Sequence, residues 1–597
     1  MTPRHPRRPP GWERPPGRRS FRSAAEAEAE HARLIRLRAA LLFVGLGMAF
    51  SALGGRLVTL HVVHARALER IAERQQHAEL VLEPRRGRLL DRWGRPLAIN
   101  VDAESVYAVP SKIGDPRAFA QTVAPILGVR GEDLARRLRP DRHFVWLARK
   151  VPPQVATALR ARALGEQIGF LPEARREYPN GTLAAHVLGF AGIDNQGLAG
   201  AELAFDRHLR GRAGLARIER DAMGRPRFET RTVLQEPTDG ADVVLTIDQV
   251  IQHIAERELD RALAETRAAW GTVLVMDPEN GEMLAMAVSP RFDPNAFERT
   301  TPSDWINPAL SLVYEPGSTF KIVLAAAALE AGVTDEQEVF FNDGTLRVPG
   351  GYVIREARGR KFPSQTLGDI IRNSSNVGAA MVAARLGAER YHAAIRRFGF
   401  GEPTGIDLPG EVAGLVPPPS QWQGSTVHTM GFGQGISVTP LQILTAGAAI
   451  ARGGLLVRPH VLRTVRDPEG RSLEVTVPAP RGQAVSPSVA RKVLAMMEDS
   501  VRRGTGTPAR LDGYAVAGKS GTAQKPSPSG GYLPDAYVAS FVGVVPADRP
   551  RLAILVVLDE PKGQYFGGVV AAPVFRAVAS QALWHLRVAP AVAPPLR

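Results

Sequence analysis

Residues 39–55 read AALLFVGLGMAFSALGG, 17 positions without a charge, followed by Arg56 and a further apolar stretch, LVTLHVV, at 57–63. A bilayer core about 30 Å thick needs about 20 mostly apolar residues in a helix. A helix over residues 39–62 meets that length if Arg56 extends its long side chain to the interface. Such a span splits the chain into a short leading part and a long trailing part that folds on the other side. Residues 1–38 carry ten Arg and four Glu, a net +6. Residues 1–24 are Pro- and Arg-rich with no apolar period, which predicts disorder. The positive-inside bias keeps this arm in the cytoplasm and exports everything after residue 63. A cleaved signal peptide is the competing reading, but a 38-residue leader exceeds the usual n-region. An Arg-rich arm can also bind nucleic acid. Beside a membrane span, attraction to anionic lipid accounts for the same charge, so no nucleic-acid partner is expected.

The chain has 597 residues, enough for about three to five domains. With 44% hydrophobic and 23% charged residues it is ordinary globular material, neither mainly disordered nor collagen-like. It contains no Cys, which excludes disulfides, iron–sulfur clusters, thiolate zinc sites and a Cys nucleophile. The 13 His are scattered; His61 and His64 sit beside the apolar run and read as interfacial polarity rather than metal ligands. No HExxH pattern is present. Of 75 basic residues only 8 are Lys, a scarcity that matters below.

The exported part has two compositional regimes. Residues 63–238 are Arg-rich with short strand-like pieces, whereas residues 239–597 are richer in Ala, Gly and Val. Residues 242–248 read as a strand, and apolar positions at Ile251, Ile254, Leu259 and Leu263 predict a helix. Strands at 271–277 and 282–287 flank a Pro278-Glu279-Asn280-Gly281 turn, and a second pair lies at 537–545 and 552–558. Between these pairs the sequence is largely helical. Strands at both ends of a helical insert predict an α+β domain whose antiparallel sheet is closed by distant segments.

Three short patterns carry chemistry. The first is Glu315-Pro316-Gly317-Ser318-Thr319-Phe320-Lys321, followed by an Ala-rich helix that ends at Gly332. Ser318 falls in the first turn, where free N–H groups favour developing negative charge. Lys321, three residues on, shares its face. A lysine near its ordinary pKa of about 10.4 is a poor base at neutral pH. In a dry pocket or beside another cation it can fall to about 7–8 and take the serine proton. Alone the pattern is weak, since about 0.3 chance matches to S-x-x-K are expected from this composition. The second is Asn373-Ser374-Ser375-Asn376, in a short connection between helical stretches at 366–372 and 377–386. Ser374 can relay protons and Asn376 can hold a substrate amide; by itself, the pattern also suits a helix cap.

The third is Lys519-Ser520-Gly521-Thr522. Residues 513–520 fit the phosphate-loop pattern G-x-x-x-x-G-K-[ST], but that loop needs a strand before it and a helix after it. Ala509-Arg510-Leu511-Asp512 precede it and Pro526 and Pro528 follow, so neither element is expected. Read as a strand, the segment offers backbone to an extended peptide, with Lys519 and Thr522 for a carboxylate.

The order S-x-x-K, S-x-N, K-[ST]-G is the signature set of penicillin-recognising serine acyltransferases. Arg replaces Lys nearly everywhere in this chain, yet Lys stands at 321 and 519. Arginine cannot lose its proton in a protein and could not serve as the base at 321. From about residue 38 to about 585 the chain resembles the class B penicillin-binding proteins, the monofunctional peptidoglycan D,D-transpeptidases. Beyond the three motifs, the likeness lies in residues 86–94 (RGRLLDRWG), 176–179 (REYP), 189–192 (GFAG) and 197–202 of the stalk. It continues in residues 431–435 (GFGQG) and 565–568 (YFGG). The Ser-Ser-Asn form, basic tail and single anchor are most similar to the septal, cell-division type; the elongation type is the alternative.

The resemblance implies a serine β-lactamase-like transpeptidase domain at 239–597, a pedestal at 63–238, a transmembrane helix at 39–62 and a cytoplasmic tail at 1–38. It also implies acyl transfer in two steps from D-Ala-D-Ala stem peptides, with no cofactor or metal, and inhibition by β-lactams. Ser318 would be the nucleophile, Lys321 its base, Ser374 a proton relay and Asn376 the holder of the substrate amide. Lys519, Ser520, Gly521 and Thr522 would bind the carboxylate end, with the Ser318 and Thr522 N–H groups as oxyanion donors. The implied partners are the membrane, a shape-and-division-type glycosyltransferase and other divisome proteins, and the implied site is the inner membrane with the catalytic domain outside. Two rivals share the motifs: a D,D-carboxypeptidase or β-lactamase that deacylates with water, and a β-lactam-binding scaffold.

Overall fold

The computed structural model describes residues 24–142, 144–220 and 226–591. The expectation of disorder for residues 1–24 therefore lies almost wholly outside the described residues. Two compact units are present, residues 1–80 with 216–233 and residues 81–215 with 234–597.

In the first unit a helix runs over Ala24–Val58 and continues as a π-helical turn, Thr59–Val63. It starts 15 residues before the expected 39. Residues 24–38 are Ala, Glu, Arg and Leu almost throughout, strong helix formers, with the acids toward the N-terminal end as the dipole prefers. The Thr59 hydroxyl donates to the Gly55 carbonyl at 2.7 Å where the helix loosens. The 36-residue stretch Glu28–Val63 is long and apolar enough to cross a bilayer. Its large side chains, Leu42 and Phe43 among them, are exposed. An amphipathic helix, Ala65–Gln76, follows.

The second unit holds, among the described residues, three two-stranded sheets and two large ones. One has the order Ser472–Val475, Leu462–Arg466, Asp242–Leu245, Leu89–Leu90, Pro96–Ala108, Val145–Val151, with Ile168–Glu177 also paired to Pro96–Ala108. Leu89 and Leu90 pair in parallel with Val243 and Val244, so stalk and catalytic segments share this sheet. The strand expected over 242–248 stops at Leu245. Asp248 leaves it to cap the helix Gln249–Thr266, accepting from Val250 N and Ile251 N at 3.0 and 3.3 Å.

Four stalk stretches, one near residue 86 and three within 176–202, gather around one buried carboxylate. Glu202 is fully buried and accepts from Arg86 Nε at 2.6 Å, Arg176 Nε at 2.7 Å and the Tyr178 hydroxyl at 3.2 Å. The Tyr178 oxygen accepts in turn from Ala191 N at 2.9 Å, and Arg86 also reaches Asp206 at 2.7 Å. Burial alone would raise the pKa of Glu202, but Arg176 and Arg86 outweigh it and hold the carboxyl below its usual range.

The second sheet is five-stranded and antiparallel, in the order Met283–Ser289, Trp270–Met276, Leu552–Asp559, Tyr532–Val545, Ala517–Pro526. Its central strand comes from near the C-terminus and pairs Val556 with Val273, which is the closure by distant segments that the sequence predicts. Side chains alternate between two cores. Val273, Val275, Ile554 and Val556 face the helices Gln249–Thr266 and Ala572–His585. Leu274, Met276, Leu555 and Val557 face the helical part, including the buried helix Pro440–Ala451. Lys321–Glu330 runs through that part with residues 322–328 at most 1% exposed.

Candidate active site

The edge strand Ala517–Pro526, the turn Gly317–Phe320 and the connection at 373–376 border a cleft of about 680 Å³. Ser318, Ser374, Asn376, Ser520 and Thr522 line it. Ser318 lies in a 3₁₀ turn that passes directly into the helix Lys321–Glu330. It is half-buried, and no hydrogen bond occupies its hydroxyl among the described residues. The turn is held from three sides: Thr319 Oγ1 donates to Pro316 O at 2.8 Å, Gly317 N to Gly433 O at 3.1 Å, and the Glu315 carboxylate accepts from Gly435 N at 2.8 Å and the Tyr532 hydroxyl at 3.0 Å. Gly433 has φ +80, and a Cβ there would run into Gly317 O.

Lys321 and Lys519 are both completely buried. Lys321 Nζ donates to Ser374 O at 2.7 Å and Asn376 Oδ1 at 2.9 Å, and lies 3.5 Å from Ser374 Oγ. Lys519 Nζ reaches Ser374 Oγ at 2.9 Å and Ser520 O at 2.9 Å. The Ser374 hydroxyl thus stands between two amines. Burial lowers the pKa of Lys321 to about 7, against a smaller upward pull from the Glu356 carboxylate. Burial and then the nearby Lys321 push Lys519 well below its ordinary value. Two ammonium groups at one hydroxyl repel, which at Lys519 adds to the effect of burial.

Ser374 adopts φ +60, in the left-handed region, at the end of the helix Leu367–Asn373. Such a conformation in a non-glycine residue costs about 1–3 kcal/mol and persists where surroundings enforce it. Capping of the next helix, Asn376–Leu386, falls to Ser375, whose Oγ accepts from Gly378 N at 2.9 Å. Ser374 and Asn376 are thereby left to the cleft. Asn376 Oδ1 is engaged by Lys321, which leaves its amide N–H donors for a ligand carbonyl.

Lys519, Ser520 and Thr522 lie on the edge strand, not in a phosphate loop: the element is Ala517–Pro526, with Lys519 paired to Val542. Ser520 Oγ donates to Thr505 Oγ1 at 2.9 Å, and Thr522 Oγ1 accepts from Gly567 N at 3.0 Å. Gly521 does not line the cleft. It sits where strand and turn meet, and an added Cβ would run into Ser540 Oγ and come within 2.8 Å of Thr319 Cγ2.

The sequence reading missed Glu356, which no motif marks. Its buried carboxylate accepts from the Ser375 hydroxyl, from Asn376 N at 2.8 Å and from Val377 N at 3.1 Å, so it holds the whole connection from below. Thr505 was missed for the same reason. Opposite, Tyr537, Tyr565 and Phe566 stack at centroid distances of 4.1 and 4.6 Å along one wall.

A serine that shares its cleft with a second serine reached by two dry lysines, with a strand edge alongside, defines the site of a serine acyltransferase. Comparison with known proteins agrees. Residues 271–580 match the penicillin-binding protein transpeptidase domain and residues 81–245 the penicillin-binding protein dimerisation domain. The chain is 36% identical to stage V sporulation protein D of Bacillus subtilis, covering 93% of this chain and 87% of that protein. It is 33% identical to the peptidoglycan D,D-transpeptidase FtsI of Escherichia coli, covering 94% of each. Penicillin-binding protein 3 of Mycobacterium tuberculosis, solved with aztreonam, superposes with a TM-score of 0.67 at 31% identity, covering 87% of this chain and 99% of that one. The chain belongs to the class B penicillin-binding proteins, the D-Ala-D-Ala transpeptidases.

Proposed function

We propose that the protein cross-links peptidoglycan stem peptides during septal wall synthesis, through an acyl-enzyme on Ser318. The observation that carries this reading is Ser374 Oγ set between Lys519 and Lys321 in the cleft that Ser318 lines. In its neutral form Lys321 accepts the Ser318 proton as the oxygen attacks the penultimate D-Ala carbonyl. The tetrahedral oxyanion is met by the N–H groups of Ser318 and Thr522, donors of a kind worth about 2.7–4 kcal/mol each. The proton returns through Lys321 and Ser374 to the departing nitrogen, the C–N bond breaks, and D-Ala leaves. The amine of a second stem peptide then attacks the ester, loses its proton through the same relay and restores the serine. Asn376 holds the donor's amide, and Lys519, Ser520 and Thr522 hold its carboxylate.

β-Lactams acylate Ser318 by the same route, as the aztreonam complex of the mycobacterial relative suggests. The septal assignment rests on the Ser-Ser-Asn form and on the similarity to FtsI along nearly the whole chain. Topology follows the positive-inside bias: residues 1–38 in the cytoplasm, a span at 39–62, and a pedestal (63–238) and catalytic domain (239–597) outside the inner membrane. There the protein works with a shape-and-division-type glycosyltransferase and other divisome proteins. Benzylpenicillin added to the full chain in detergent should leave one covalent adduct, mapped by mass spectrometry to the Ser318 peptide and absent from Ser318→Ala. An adduct that persists in that variant overturns the assignment.

A further inference from the structure

Residues 355–361 read Arg355-Glu356-Ala357-Arg358-Gly359-Arg360-Lys361, four cations and one acid in a row of seven. Arg355, Arg358 and Arg360 line the cleft that Ser318 lines, and with Glu356 they are the only charged residues in that lining among the described residues. All three arginines are exposed, and none has an ion-pair partner among the described residues. The acid that would neutralise them points the other way, its carboxylate bound to Ser375, Asn376 and Val377. The charge that the loop leaves without an ion-pair partner in that lining is therefore positive. One guanidinium is also held in place: Arg358 lies 3.6 Å over the Phe566 ring, at the end of the stack that runs through Tyr565 to Tyr537. A guanidinium stacked by its face keeps its N–H edge free, and that edge matches a carboxylate in two parallel hydrogen bonds.

We infer that Arg355, Arg358 and Arg360 form a second anion subsite, which takes a side-chain carboxylate of the peptide substrate and favours doubly charged peptides and β-lactams over singly charged ones. The inference rests on the acyl-transfer reading, in which the chain-terminal carboxylate is taken by Lys519, Ser520 and Thr522. A second negative group elsewhere on the ligand then meets the loop.

Two penicillins that differ only in a side-chain carboxylate, benzylpenicillin and its α-carboxy analogue, supply the test. Second-order acylation constants of the full chain in detergent are measured for both, in the parent and in the triple variant R355Q/R358Q/R360Q. The ratio of the carboxy analogue to benzylpenicillin should fall about tenfold or more in the variant, the scale of one lost charge-assisted hydrogen bond. In the parent, the same ratio should fall as salt is raised from low ionic strength. A ratio that is the same in both proteins overturns the subsite. If the variant does not fold, a parent ratio insensitive to salt overturns it equally. A chain acylated by neither penicillin refutes the acyl-transfer reading instead, so the two failures are distinct. With thioester stem analogues, the variant should raise KM for the analogue with a free side-chain carboxylate and not for its amidated counterpart.

Discussion

In the proposed mechanism Lys321 acts as a base near neutral pH because its surroundings remove the water that would stabilise its charge. Burial brings its pKa to about 7, so kcat/KM for acylation should rise with pH through that value as the amine loses its proton. Lys321→Arg keeps the positive charge and abolishes the base, and acylation should fall by at least about a hundredfold. Glu356 opposes the shift by favouring the charged lysine. Glu356→Gln should therefore lower the lysine's pKa and move the rising limb to lower pH, whereas Glu356→Asp should leave the limb near its original place. Lys519, which faces Lys321 across Ser374, is untouched by either change. A limb that stays put in Glu356→Gln would reduce Glu356 to a helix-capping acid. At this scale the sequence was informative where chemistry restricts residue type: a lysine retained amid arginines marked 321 and 519. It was silent on Glu356, because a carboxylate's role here comes from what the fold brings above it. The suspicion that Ser-Ser-Asn is a cap was half right in an instructive way. Ser375 does the capping, which frees Ser374 and Asn376 on either side.

Strand Ala517–Pro526 is the element on which the site's geometry depends. It lies against the Ser318 turn closely enough that only glycine fits at 521. Gly521→Ala should push strand and turn apart, and since a displacement of about 1 Å can cost about a hundredfold in rate, penicillin acylation should drop by that order. Unchanged acylation would show that strand and turn move independently. Composition around this strand exposed the phosphate-loop match as accidental, since the prolines that follow cannot continue a helix. The misplaced boundaries had local causes. The strand at 242 stops at Leu245 because Asp248 caps the next helix, and the apolar helix begins at Ala24 because its polar prefix is itself strongly helix-forming.

Over the whole molecule, the stalk's four quoted stretches resolve into one structural device around Glu202. Removing one partner of a buried charge network leaves the others uncompensated, at a cost of about 3–5 kcal/mol. Glu202→Ala should lower the urea midpoint of the full chain accordingly, and an unmoved midpoint would contradict the network's role. Because the folded carboxyl sits below its usual 4.5, this contribution is complete above that pH and is lost as pH falls through the lower folded value. The convergence was invisible in sequence windows, as was the parallel pairing of Leu89 with Val243 that puts stalk and catalytic strands in one sheet. Such pairings depend on where the chain returns, which periodicity does not encode.

In the proposed reaction the Ser318 acyl group passes to an amine. Given a thioester stem analogue and a D-amino acid acceptor, the full chain should form the amide product, and Ser318→Ala should form none. Hydrolysed donor alone, with no amide at any acceptor concentration, would contradict it.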